Sequence, residues 1–217
     1  MLPLAHPLLR QGDRGMKARV NEVRRSESVA DIWFVPEEAI EVTPGDMFEI
    51  YRVLQSRLFS VAGWRDGSYR ILVSKKGELS GWLYERQIGD VIDVRLQAGD
   101  LFRPRGGNVL CIATGTGIAP FMCAHPDELP NIIWGIKAPS QFPGWDDQGR
   151  TIWKFASIFG KHVQDAPDEL LVGHTRFFDR YERVYLCGHT GMIVDMTTRL
   201  FGLGYSLGQV ESEVFFP

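Results

Sequence analysis

The stretch 109-VLCIATGTGIAP-120 decides how the whole chain is read. Five apolar residues run straight into Thr114-Gly115-Thr116-Gly117, and Pro120 follows three positions later. The apolar run has the make-up of a strand buried on both faces, and proline is tolerated in a first helical turn. Glycines between the two let the backbone approach a ligand closely, while the free amides of a helix start face whatever anion lies there. In an open parallel sheet such a turn sits beyond the carboxyl ends of the strands, where ligands bind. A glycine used merely to turn the chain leaves the same trace, so the neighbouring segments carry the decision.

Toward the C-terminus the runs 131-NIIWGI-136, 169-ELLVG-173, 184-VYLCG-188 and 209-QVESEVF-215 read as strands. Helix-like stretches at 118–124, 151–163 and 191–202 separate them. Strands alternating with helices, with nearly continuous apolar strands, predict a parallel sheet covered on both faces. The segment 188-GHTGM-192 repeats the pattern of glycine before a helix start, with Cys187 at the strand end, and Arg176 in 174-HTR-176 has the fork geometry for a phosphate.

Toward the N-terminus the grammar is different. The runs 17-KARVNEV-23, 32-IWFV-35, 47-MFEIY-51, 58-LFSVA-62, 69-YRILV-73 and 91-VIDVR-95 are short, alternating or β-branched, and bounded by turns such as 43-TPGD-46 and 63-GWRDG-67. They predict a small antiparallel barrel or sandwich. A helix is expected in 80-SGWLYERQ-87 with Ser80 at its N-cap. The change of pattern after 103-RPRGG-107 puts the boundary near Gly106 and Gly107, with residues 1–15 as an arm ahead of it all.

The 217 residues, 44% hydrophobic and 24% charged, suit one large or two modest globular domains. A net charge of −3 argues against a general nucleic-acid binder, and no apolar run reaches the roughly 18–20 residues of a membrane span. Residues 1–10 lack a secretory signal pattern, so a cytoplasmic location is expected. Cys111, Cys123 and Cys187 are too scattered for a disulfide framework, zinc or an iron–sulfur cluster; no metal is expected, and any redox chemistry has to come from an organic cofactor. Residues 52–105 carry ten Lys/Arg against six Asp/Glu, and 106–217 carry eight against twelve, so the first half has the charge to steer an acidic partner.

Taken in order, these motifs resemble the ferredoxin-NADP reductase family. The segment 57-RLFS-60 resembles its R-x-Y-S flavin motif, 77-GELSGWL-83 its G-x-x-S/T-x-x-L segment and 89-GDVIDV-94 its G-D-x-V-x-V. In the second half 112-IATGTGIAPF-121 resembles the family's pyrophosphate loop, 184-VYLCGHTGM-192 its Cys-Gly strand end, and 213-EVFFP-217 the E-x-F-x-P ending of some members. The resemblance spans residues 17–217. It implies a β + α/β fold: a six-stranded antiparallel β-barrel binding flavin over 16–105, then a shortened parallel-sheet α/β domain binding NAD(P) over 106–217.

The resemblance also implies roles. Arg57, with Leu58 and Phe59 beside it, would neutralise the flavin pyrophosphate, and Ser60 would hydrogen-bond near flavin N5. Gly77, Leu79 and the amides around Ser80 would hold that pyrophosphate, and Phe215 would lie against the isoalloxazine. Thr114, Gly115, Thr116, Gly117 and Pro120 would hold the nicotinamide nucleotide, with Gly188 and Met192 at the neighbouring strand end. Cys187 and Glu213 would flank the flavin–nicotinamide contact; together with Ser60 they form the expected catalytic set. Arg176, or Lys137 after the second apolar strand, would meet the 2′-phosphate. Two features depart from the pattern: Phe59 stands where the family has Tyr, and only a few residues separate 175-TR-176 from 184-VYLCG-188, which suggests a lost helix.

The implied function is hydride transfer from NADPH (or NADH) to FAD, in preference to FMN, and onward passage of single electrons to a separate ferredoxin or flavodoxin. An acidic carrier would dock on the positive stretch of Arg65, Lys75 and Lys76. The alternatives are the reductase component of a multicomponent oxygenase and a non-catalytic dinucleotide-binding subunit.

Overall fold

The computed structural model describes the backbone of residues 15–99, 108–125, 127–128, 131–142, 150–173 and 180–216, and the side chains of all of these but 214–216. The alternating runs of the first half form six strands: β1 (Met16–Arg25), β2 (Val29–Pro36), β3 (Met47–Arg52), β4 (Gln55–Arg65), β5 (Ser68–Ser74) and β6 (Val91–Gln97). They close into an antiparallel barrel in the order β1-β2-β5-β4-β3-β6. Alternate side chains fill it: Ala18, Ile32, Phe34, Phe48, Ile50, Val61, Ile71 and Val94 are almost wholly buried, as a period of two demands of a sheet wrapped around a core. The helix α1 (Glu78–Tyr84) puts Leu83 and Tyr84 into the same cluster.

The hairpin joining β3 to β4 has a two-residue turn, because Arg52 pairs with Gln55. Its first central residue is Val53, at φ 52° and 94% exposed. A β-branched residue is strained there and gains no packing in return; glycine is the residue this kind of turn favours. Val53→Gly is expected to raise stability by about 1 kcal/mol, measured by urea unfolding; a lower midpoint at unchanged slope would contradict the strain.

The second half is a five-stranded parallel sheet in the order β11-β10-β7-β8-β9, built from β7 (Val109–Thr114), β8 (Asn131–Ile136), β9 (Thr151–Ala156), β10 (Arg183–His189) and β11 (Val210–Phe216). Cys111 and Ala113 of β7 face one layer, with Ile118, Phe121 and Met122 of the glycine turn and α2 (Ala119–Cys123) and with Val29, Ala62 and Leu72 of the barrel. Leu110 and Ile112 face the other, against α3 (Asp168–Val172) and α4 (Thr190–Gly202). The barrel itself thus covers part of one face of the sheet.

Two expected elements change identity. Residues 169–173, read as a strand, belong to helix α3, with Pro167 before it, Asp168 and Glu169 in its first turn, and Gly173 closing it at φ 79°. Residues 151–163, read as a helix, begin with strand β9, whose threonine, isoleucine and aromatic residues favour a pleated surface. The link from β9 to β10 therefore runs from 157 to 182, a normal crossover length, so the spacing before β10 gives no reason to infer a lost helix. The domain is short for another reason: among the described residues, α4 is its sole helix longer than five residues. The expected boundary at Gly106 and Gly107, and the arm expected over 1–15 except Gly15, lie outside the described residues. No helix among the described residues is long and apolar enough to cross a membrane.

A candidate cofactor site at the seam of barrel and sheet

A cleft of about 490 Å³ opens where the outer face of the barrel meets the glycine turn. The barrel supplies Met47 and Glu49 from β3, the run Ser56–Ser60 from β4, and Leu72 and Ser74 from β5. Ser80 comes from α1, Thr116 and Ala119 from the turn after β7, and Glu213 from β11. Ser74 Oγ lies 3.4 Å from Thr116 Oγ1 and ties the two halves together at the cleft wall.

Ser60 is 4% exposed and, among the described residues, its hydroxyl has no hydrogen-bond partner. A buried hydroxyl left so costs about 1–3 kcal/mol, so a ligand atom in the cleft is its natural partner. Arg57 is exposed into the cleft and, among the described residues, has no carboxylate within ion-pair reach. Glu213 is half-buried, and that burial raises its carboxyl above the ordinary value. A carboxyl raised on folding binds its proton more tightly in the native state, so stability due to this group is full below its unfolded pKa, about 4.3, and falls as pH climbs above it. Glu213→Gln is expected to gain stability over the parent protein as pH rises from 4 to 7. Parallel pH–stability curves would refute it.

Glu49 is the opposite case. Its carboxylate accepts from Ser56 Oγ at 2.7 Å, Tyr51 Oη at 2.6 Å, Arg95 at 2.5 Å and Gln97 Nε2 at 3.0 Å. These bonds, with that of Ser56 foremost, pull its pKa down to about 2.

The glycine turn has two kinds of glycine. A Cβ on Gly115, at φ 54°, would meet nothing within 4 Å, so its backbone is open to an approaching ligand. A Cβ on Gly117 would lie 2.4 Å from Cys187 O, and one on Gly188 2.2 Å from Thr114 Oγ1; these two serve the close approach of β7 to β10. Trp134 Nε1 donates to Gly115 O at 2.9 Å, and the His189 amide to Thr114 Oγ1 at 3.0 Å, so the turn is held from both flanks.

Of the expected residues, the cleft brings together Arg57, Leu58, Phe59, Ser60, Ser80, Thr116 and Glu213. Cys187 lies outside it, buried beside Pro120 on a void of about 10 Å³ that Glu213 also borders, and burial holds its thiol far above the ordinary value. Leu79 is buried and does not line the cleft, and Met192, on α4, packs into the layer between that helix and the sheet. Ser80 is not an N-cap: α1 begins at Glu78 after Gly77, and the Ser80 hydroxyl donates to Lys76 O. Phe215 lies on β11, in the backbone only.

Arg176 lies outside the described residues, and the strand expected before it is helix α3. Lys137 is exposed at the end of β8, beside a second cleft of about 520 Å³. That cleft joins Trp134, Phe142, Phe155 and Phe159 with Lys154 and Lys161. Sequence reasoning missed it because β9 was read as helix. The basic stretch also changes character: Arg65 pairs with Glu22 at 2.5 Å and stacks on Trp33, and Lys75 pairs with Glu85 at 2.7 Å.

No protein-family model matches the sequence, and no curated protein matches it. Solved structures do. A ferredoxin NADP+ reductase from Neisseria gonorrhoeae with bound FAD and NADP is similar at TM-score 0.75 and 17% identity, over 93% of this chain and 99% of that one. The ferredoxin reductase in carbazole 1,9a-dioxygenase gives 0.75 and 21%, over 94% and 70%. A flavohemoglobin from Malassezia yamatoensis with bound FAD and heme gives 0.75 and 18%, over 93% of this chain and 60% of that longer one. The closed barrel joined to a five-stranded parallel sheet is thus the fold this chain shares with the ferredoxin-NADP reductases.

Proposed function

We propose that the chain is a flavin-dependent NAD(P)H oxidoreductase that holds FAD in the seam cleft and passes single electrons to a separate ferredoxin or flavodoxin. The observation that carries this reading is the Ser60 hydroxyl, buried without a partner among the described residues in a cleft bounded by both halves. When bound, the flavin supplies the two-electron to one-electron conversion that no side chain can perform.

The chain's own residues do the rest. Arg57 offers a rigid fork of donors to a pyrophosphate, and the amides of 78–80, which precede the first backbone bond of α1 from Gly81 to Gly77, add neutral donors beside it. Ser60 would donate to an acceptor nitrogen of the flavin ring, and Phe59 would flank it without the hydroxyl that a Tyr would contribute. Glu213 holds a proton more readily than a surface carboxyl, next to the place where hydride would arrive. Gly115 admits the diphosphate of the nicotinamide nucleotide. The second cleft, held against the glycine turn through Trp134, takes the adenosine end, where Lys154 and Lys161 supply charge for a 2′-phosphate and favour NADPH over NADH.

The test is reconstitution with FAD and, separately, FMN, followed by anaerobic mixing with NADPH or NADH. Uptake of FAD and rapid bleaching by NADPH are expected. A protein that takes up neither flavin overturns the reading, and binding of flavin and NADPH without bleaching identifies a non-catalytic subunit. Lys161→Ala is expected to raise KM for NADPH about tenfold and leave that for NADH unchanged. Reduction rates with ferredoxin, flavodoxin and an oxygenase component rank the acceptors.

A further inference from the structure

The charged side chains that line the seam cleft are Arg57, Glu213 and Glu49. Arg57 and Glu213 have a part in the proposed cofactor chemistry; Glu49 has none. It is an outward-facing residue of β3, paired across the ladder with Leu58, and the next pair on that face, beyond Phe48 with Phe59, is Met47 with Ser60. Its carboxylate therefore stands on the same barrel face as the Ser60 hydroxyl, one pair along.

The side chain is only 16% exposed, yet it is held by donors from three strands. Tyr51, Arg95 and Gln97 all donate to Oε2, whereas Ser56 donates to Oε1. A carboxylate oxygen accepts about two bonds, so Oε1 keeps acceptor capacity that Oε2 has spent. Arg95 lies outside the lining of this cleft, on another surface hollow beside Tyr51 and Lys17. The pair is thus polarised, with its negative member toward the cleft and its positive member away from it. The low pKa of Glu49 keeps it ionised throughout the physiological range.

We propose that Glu49 is a tuning residue of the cleft: a fixed carboxylate that opposes negative charge on the bound cofactor and so favours its oxidised form. The inference rests on the flavin reading. A flavin ring that takes up two electrons and one proton at neutral pH becomes a monoanion, whereas the oxidised ring is neutral. Charges sharing a cleft of about 490 Å³ stand on the order of 10 Å apart. At an effective dielectric of about 20, a unit charge at that range shifts an equilibrium by roughly tenfold. Arg95 offsets part of that effect and does not reverse it, because it is the more distant member of the pair.

The measurement is the ratio of dissociation constants for oxidised and reduced flavin. It is obtained from the bound cofactor's midpoint, read by dithionite titration against a reference dye, and from the binding curve of the oxidised form. Glu49→Gln keeps the shape and the acceptor oxygen and removes the charge. It is expected to tighten the reduced form relative to the oxidised one about five- to tenfold. Arg95→Gln leaves the carboxylate and removes its counter-charge; it is expected to shift the ratio in the opposite direction. A merely structural role would weaken both redox forms alike and move both variants the same way. If the parent protein binds flavin and the ratio stays within twofold in both variants, the tuning role is wrong and the cofactor reading stands. Should the parent bind no flavin, both fall.

Discussion

Ser60→Ala is expected to do two opposite things. It should slow reduction of the bound flavin by NADPH about 10²-fold, because a donor aimed at developing charge is worth about 2.7–4 kcal/mol of transition-state stabilisation. It should also make the protein without flavin more stable by about 1 kcal/mol, since the hydroxyl it removes is buried with nothing to bond. In a chain of this length that gain corresponds to about 2–4 °C in melting temperature. The pairing of a stability gain with an activity loss marks a polar group kept for a ligand. Stopped-flow reduction and a thermal melt of the flavin-free form measure the two. A variant less stable than the parent would mean that Ser60 belongs to the barrel's own packing.

Gly117→Ala is the second large effect. The new methyl group would stand 2.4 Å from Cys187 O and 2.8 Å from both Cys187 C and Gly188 Cα, all of them backbone, so no side chain can move aside to admit it. The ends of β7 and β10 must part, at a cost of about 3 kcal/mol. Loss of NAD(P)H affinity of about 10²-fold is expected with it, because the glycine turn is held in shape by that approach. Gly115→Ala is the control: its methyl group meets nothing, and only the positive φ makes it unfavourable, by about 1 kcal/mol. Isothermal titration with NADPH and urea unfolding separate the two variants. Equal stability losses at 115 and 117 would show that conformation, not contact, selects both glycines.

The six barrel strands were legible because burial with a period of two is written in neighbouring residues; 47-MFEIY-51 alternates whatever lies across from it. β7, β8 and β10 were legible for a different local reason, the nearly continuous apolar runs of strands buried on both faces. A short apolar run such as 169-ELLVG-173 is different. Periodicity over so few residues does not separate a buried strand from a buried helix. Pro167 and Gly173 bracket it as helix ends do, and Leu170 and Leu171 pack in the layer with Leu200 and Met196 of α4.

Local sequence determined the six barrel strands, the two glycine turns and the residues on the inner face of the barrel, since each depends on spacing along the chain. Only the tertiary structure decided which charges are spent and which are available. Arg65 finds Glu22 at a separation of 43 residues, and Glu49 finds Arg95 at 46. Among the described residues, the same long-range pairing leaves Arg57 without a carboxylate and the Ser60 hydroxyl without a partner. Electrostatic and hydrogen-bond satisfaction depend on distances in space, and a chain closed into a barrel and seated on a sheet sets those distances with residues far apart in sequence.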